Sequence, residues 1–242
     1  MSGGIATVSF HHPKGNSMPG PLLEQLAGEI AVQGLNPDAA VIVLRSDGHG
    51  PFCAGASFDE LKAIRDPAAG QAFFSGFSRV ILAMIRAPKF VLTRVHGKVA
   101  GGGIGIVAAS DYSIAVRSAP ARLSELAIGI GPFIVGVAIE HKIGRAAFGA
   151  MAVDAAWHDA DWCERHGLYS RLVDDTAALD EAVHSLAATL AESNPEAMAE
   201  LKRIFWRGSH DWEQVLAERA AMSGRMVLPD FTRRAIAAIE TR

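Results

Sequence analysis

The chain has 242 residues, half of them hydrophobic, and a formal net charge of −3. That length and apolar content suit one domain with a large core, or one domain with an appendage. Mild acidity without a long basic run argues against nucleic acid as the main partner, and two cysteines without regular spacing argue against a disulfide framework.

Taken in chain order, Met1-Ser2-Gly3-Gly4 carries neither the charge nor the apolar run of a signal peptide. Ile5 to Phe10 alternates as a strand. Pro21 to Gly34 has helical spacing in Leu22, Leu23, Leu26 and Ile30 and stops at a glycine. Val41 to Leu44 is a strand of buried type, Phe58 to Ile64 a short helix, and Ala72 to Ile85 a longer amphipathic one ended by Ala87-Pro88. Phe90 to Val95 is a strand, Gly103 to Ala109 a small buried helix, and Tyr112 to Val116 a strand. This alternation predicts an α/β fold with parallel pairing. After Arg145 strand signals fade, except Ser170 to Val173, and helices are predicted over Asp180 to Ala191, Pro195 to Trp206, Trp212 to Met222 and Phe231 to Ile239. The chain therefore divides into a core over residues 1–185 and a helical region over 186–242, whose several apolar faces suggest burial against a neighbouring subunit. The apolar stretches are interrupted by Gly, Lys or Asp short of a membrane span, so a cytoplasmic protein away from membranes is expected.

Chemistry concentrates in two glycine-rich turns, Phe52-Cys53-Ala54-Gly55-Ala56-Ser57 and Gly97-Lys98-Val99-Ala100-Gly101-Gly102-Gly103-Ile104-Gly105. Each follows a strand and leads into a helix. Glycines at a helix start let a ligand approach the backbone, and the free N–H groups there favour an anionic oxygen. A Gly-Lys-Ser/Thr phosphate loop and a Gly-x-Ser-x-Gly elbow are both absent, and the nine histidines show no metal-binding spacing. One charge, Glu125, interrupts the apolar run Leu123-Ser124-Glu125-Leu126-Ala127-Ile128-Gly129-Ile130. A carboxylate so placed tends toward a raised pKa, which suits proton transfer near neutrality, although a capped helix-terminal Glu would show the same pattern. His96, Asp111 and Glu140 are polar neighbours read as structural, and Cys53 as a small buried residue.

Together the two turns, Asn16-Ser17-Met18, Ala87-Pro88-Lys89 and Asp111 resemble the crotonase, or enoyl-CoA hydratase/isomerase, superfamily over almost the whole chain. The resemblance implies a ββα spiral core with a C-terminal helical trimerisation region, and a homotrimer or homohexamer. It implies that the Ala56 and Gly102 N–H groups form an oxyanion hole for a thioester carbonyl, and that Glu125 moves the proton. It further implies that coenzyme A, carried by the thioester substrate, meets Ala54 and Gly55, with no other cofactor and no metal required. Hydratases of this superfamily place a second glutamate two residues after the glycine triplet, where this chain has Gly105. With one carboxylate, moving a double bond from the 3- to the 2-position is easier than adding water. Hydration or thioester hydrolysis through Glu125, and a binding subunit without catalysis, are the alternatives. The family often has an acid and then a phosphate-holding lysine where Ser57 and Asp59 stand; Asp59 would repel phosphate, so Lys14, Lys62 or a basic residue of the tail is expected to hold the coenzyme A phosphates instead. Phe133 and Ile134, together with Gly105, are expected to shape the acyl pocket, in a segment similar to a bacterial branch often labelled methylglutaconyl-CoA hydratase.

Overall fold

The computed structural model describes residues 1–239. Its strands are β1 (Ile5–Phe10), β2 (Val41–Ser46), β3 (Val91–Val95), β4 (Val99–Ala100), β5 (Tyr112–Val116), β6 (Ala121–Arg122) and β7 (Arg171–Val173). The helices are α1 (Gly20–Leu35), α2 (Phe58–Ala63), α3 (Pro67–Arg86), α4 (Gly102–Ala108), α5 (Val135–Asp154), α6 (Ala160–Arg165), α7 (Thr176–Ala191), α8 (Pro195–Phe205), α9 (Trp212–Met226) and α10 (Asp230–Ile239).

The main sheet has strand order β1-β2-β3-β5-β7 and is parallel throughout, while β4 and β6 form a small parallel pair. Parallel neighbours need crossover connections, which the intervening helices supply. Val41, Ile42 and Leu44 are fully buried, as a strand covered on both faces requires. β2 runs past the predicted Leu44, because Arg45 and Ser46 still pair with Ser9 and Phe10; their polarity hides the strand in the sequence. α3 likewise starts before the predicted Ala72. Asp66 accepts a hydrogen bond from the Ala69 N–H at 2.8 Å and Pro67 takes the first helical position.

By length and composition α3 could cross a membrane, with a mean hydropathy of 1.3, yet 56% of that stretch is buried within the fold. It packs between α1 and α9. Gly70 and Gly76, which break the apolar run in the sequence, are contact points here: α9 approaches Gly70 and Leu23 covers Gly76.

α5 and α6 have no counterpart in the predicted elements. α5 bends at Gly144 (φ 77°, ψ 160°), which blurs its periodicity. α7 spans the expected division at residue 185 and packs on the main sheet. Its start is set by Asp175, whose side chain accepts from the Ala178 N–H at 2.9 Å. Beyond it, the tail turns back on its own chain. α9 buries Trp212, Leu216 and Ala220 along α3, and α10 packs on α2. α8 leaves three large apolar side chains exposed, Leu201, Ile204 and Phe205. α8 is anchored by Lys202, buried with Asp111 at 2.8 Å and also donating to the Met84 and Lys89 carbonyls.

Candidate active site

The segment after β1 clamps the first glycine turn. Asn16 Nδ2 donates to the Asp47 and Pro51 carbonyls, and the Ala54 N–H donates to the Gly15 carbonyl at 3.1 Å. The Met18 N–H donates to the Gly55 carbonyl at 2.8 Å, and the Ser57 N–H to the Met18 carbonyl at 3.2 Å. In such a bridge the intervening residue points its own N–H to the opposite edge, which leaves that of Ala56 directed away from Met18.

That edge meets the second turn. A Cβ on Gly55 would stand 3.1 Å from the Ala100 carbonyl oxygen and 3.6 Å from the Gly101 Cα, a spacing that only glycine permits at φ +90°. The Gly101 N–H is consumed by the Arg122 carbonyl at 2.9 Å. Gly102 opens α4, so its N–H has no acceptor within the helix. Phe77 lies against Gly102 so closely that any side chain there would overlap its ring.

Glu125 follows β6 and precedes a 3-10 turn at Leu126–Ile128. Its carbonyl accepts from the Ile128 and Ile130 N–H groups, which fixes its backbone. Its carboxyl reaches the second turn, with Oε1 3.3 Å from where a Gly101 Cβ would be, while Oε2 is shielded from solvent and has no hydrogen-bond partner among the described residues. Burial pushes its pKa up to about 7, partly offset by the main-chain N–H groups of Glu125 and Ser124. A group half ionised at neutral pH can both take and return a proton.

Both turns and Glu125 line one pocket of about 560 Å³, its open mouth included. Ala54, Gly55, Ala56, Gly102, Phe133 and Ile134, all marked from the sequence, are in its wall. Two other marked residues are elsewhere. Gly105 is buried and does not line the pocket; a Cβ on it would fall 2.5 Å from Val135 Cγ1 and 2.6 Å from Val135 Cβ. The place of the second carboxylate is thus filled by the first residue of α5, which does line the pocket. Lys14 is exposed, pairs with Asp59 at 2.6 Å and is not in the wall. That pair, more than any other cause, holds the Asp59 carboxyl below its usual pKa.

The polar neighbours sort as structural groups. Asp111 accepts from the Val91 N–H at 2.7 Å and from Trp206 Nε1 at 2.8 Å, besides its pair with Lys202. His96 sits behind Phe52, its pKa lowered by burial and by Arg94 and Arg45. Glu140 is exposed on α5. Cys53 is buried under Gly103 with its thiol pushed up to about 12 by burial, too high for a nucleophile.

Phe74, Phe77, Leu61, Val135 and Ser223 also line the wall and were not singled out in the sequence. They arrive from α3, α2, α5 and α9 by tertiary packing. The glycine at position 105 was the available signal for Val135, since a glycine inside a buried helix marks a close approach.

The arrangement agrees with comparisons to known proteins. The family model described as enoyl-CoA hydratase/isomerase matches residues 1–234. A (7aS)-7a-methyl-1,5-dioxo-2,3,5,6,7,7a-hexahydro-1H-indene-carboxyl-CoA hydrolase of Mycobacterium tuberculosis is 31% identical over 162 residues, 63% of this chain and 63% of that protein's length. A probable enoyl-CoA hydratase of Bacillus subtilis is 26% identical over 207 residues, 84% of this chain and 78% of that protein. The crystal structure of an enoyl-CoA hydratase from Bacillus halodurans superposes with a TM-score of 0.90 at 17% identity, covering 98% of this chain and 97% of that one, which speaks for the shared fold. The chain belongs to the enoyl-CoA hydratase/isomerase family of the crotonase superfamily.

Proposed function

We propose that this protein isomerises a 3-enoyl-CoA thioester to the 2-enoyl form with Glu125 as the only acid–base group. The observation that carries the reading is a single buried carboxyl, with a pKa of about 7, in a pocket whose second acid position is filled by Val135. The thioester oxygen sits between the Ala56 and Gly102 N–H groups. Glu125 takes the proton from C2, the electrons spread over the dienolate as negative charge gathers on that oxygen, and the same carboxylic acid returns the proton to C4. Each donor to such an oxygen is worth about 3 kcal/mol of barrier. The coenzyme A portion of the substrate lies along Ala54 and Gly55, and the apolar wall receives the acyl chain.

A second reading, hydrolysis or hydration with Glu125 activating water, draws support from the names of the relatives at 31% and 26% identity. Assay of matched 3-enoyl and 2-enoyl thioesters separates the two. The proposed activity predicts interconversion of double-bond position without loss of the thioester or gain of a hydroxyl. Release of free coenzyme A, or a 3-hydroxyacyl product, would favour the second reading, and tight binding without turnover would favour a non-catalytic subunit. A homotrimer or homohexamer belongs to the same proposal, supported by the exposed Leu201, Ile204 and Phe205 on α8. Light scattering on the purified protein tests it.

A further inference from the structure

Ser223 is a polar group in the pocket wall that the proposed proton transfer does not use. It comes from α9, is 2% exposed, and its hydroxyl makes no hydrogen bond among the described residues. Some hydroxyls at helical positions bond back to the preceding turn: Ser75 donates to the Gln71 carbonyl at 2.7 Å, Thr189 to Ser185 at 3.0 Å and Ser193 to Thr189 at 2.9 Å. Ser223 makes no such bond. The buried hydroxyls of Ser46, Ser78 and Thr93 also have no partner among the described residues, but they do not line the pocket; Ser223 does, where an occupant can supply a hydrogen-bond partner.

Its position is set by a backbone contact. α3 and α9 cross at Gly70 and Gly224, where a Cβ on Gly70 would fall 2.6 Å from the Gly224 Cα and one on Gly224 2.5 Å from the Gln71 nitrogen. The residue before Gly224 is therefore held against α3, whose Phe74 and Phe77 share the same wall. For a plain hydrocarbon chain an alanine at this point would serve equally well.

We propose that Ser223 hydrogen-bonds an oxygen substituent on the acyl group, so that the preferred substrates are thioesters with a hydroxyl or carbonyl on the acyl chain rather than simple alkenoyl chains. The proposal rests on the reading that the acyl group fills this pocket. It makes Ser223 a specificity determinant supplied by the C-terminal tail.

The test compares 3-hexenoyl-CoA with a series of analogues bearing a hydroxyl or keto oxygen at successive distal carbons, on the parent protein and on Ser223→Ala. A hydrogen bond between neutral groups predicts that the parent favours one oxygenated member over the plain chain by about tenfold in kcat/KM. Ser223→Ala brings that ratio close to one. A ratio that Ser223→Ala leaves unchanged, or a parent that favours no oxygenated member, overturns the role of Ser223 and leaves the isomerase reading standing. If the thioesters bind without turnover, the isomerase reading falls and the same ratio, measured as Kd by calorimetry, decides the role of Ser223. Absence of binding by every member overturns both.

Discussion

Replacing Glu125 with glutamine changes how folding stability depends on pH, and the size of the effect follows from the burial of one carboxyl. In the unfolded chain the group titrates near the ordinary 4.5, and in the fold burial moves it to about 7. Below pH 4.5 it is protonated in both states and contributes no penalty. Between pH 4.5 and 7 the unfolded chain gives up the proton while the folded protein keeps it, so stability falls as pH rises. Above pH 7 the penalty is complete, about 3 kcal/mol against the ionised folded form. Most of that range is sampled between pH 5 and 8, over which the parent should lose about 2.5 kcal/mol relative to Glu125→Gln. For a chain of this length that is a relative Tm difference of roughly 5–10 °C. The amide brings its own desolvation cost, so the change of the difference with pH is the readout, not its offset. Histidines and other carboxylates titrate in both proteins and cancel. Denaturant or thermal unfolding of parent and variant at fixed protein concentration, from pH 5 to 8, measures it. Curves that run parallel over that range would refute the burial of this carboxyl and the acid–base role built on it.

Two further substitutions probe the frame around the site. Gly105→Glu restores the carboxylate position by sequence only; overlap with Val135 should cost about 1–3 kcal/mol or more, and hydration of a 2-enoyl thioester should not appear. A stable Gly105→Glu variant with gained hydratase activity would contradict the packing described. At the Asp111–Lys202 pair, Asp111→Ala leaves the buried ammonium its two carbonyl acceptors but no counter-charge, and should lower stability by about 3–5 kcal/mol. Lys202→Met should cost less, because Asp111 keeps its bonds from Val91 and Trp206. Thermal melts of the two variants check that order.

Much of the architecture is visible in local chemistry. β-branched runs mark the buried strands, Asn194-Pro195 marks the start of α8, and the two glycine turns fall between strand and helix as their composition implies. Glu125 stands out as a lone charge in an apolar run, but a capped helix-terminal Glu would look the same, and only its place beside the two turns separates the readings. What local pattern conceals is set by distant partners. α5 carries Gly136, Gly144 and Gly149 and bends at Gly144, so it lacks a clean helical period. Lys14 is basic and adjoins Gly15 and Asn16, which clamp the first turn, yet Asp59 takes it up. Val135, Phe77 and Ser223 reach the pocket from three helices, and no spacing along the chain announces that they meet. The tail faces read as a subunit contact are largely spent on α3 and α2 of the same chain, because α9 and α10 fold back.

The most direct measurement is the pH dependence of kcat/KM for conversion of a 3-enoyl-CoA to its 2-enoyl isomer, with Glu125→Gln beside the parent. The account predicts a rate that rises through a single ionisation near pH 7 and then levels. It also predicts a loss of about 10²–10⁴-fold in the variant at pH 8. Equal turnover by the two proteins, or a parent profile flat from pH 5 to 9, would contradict it.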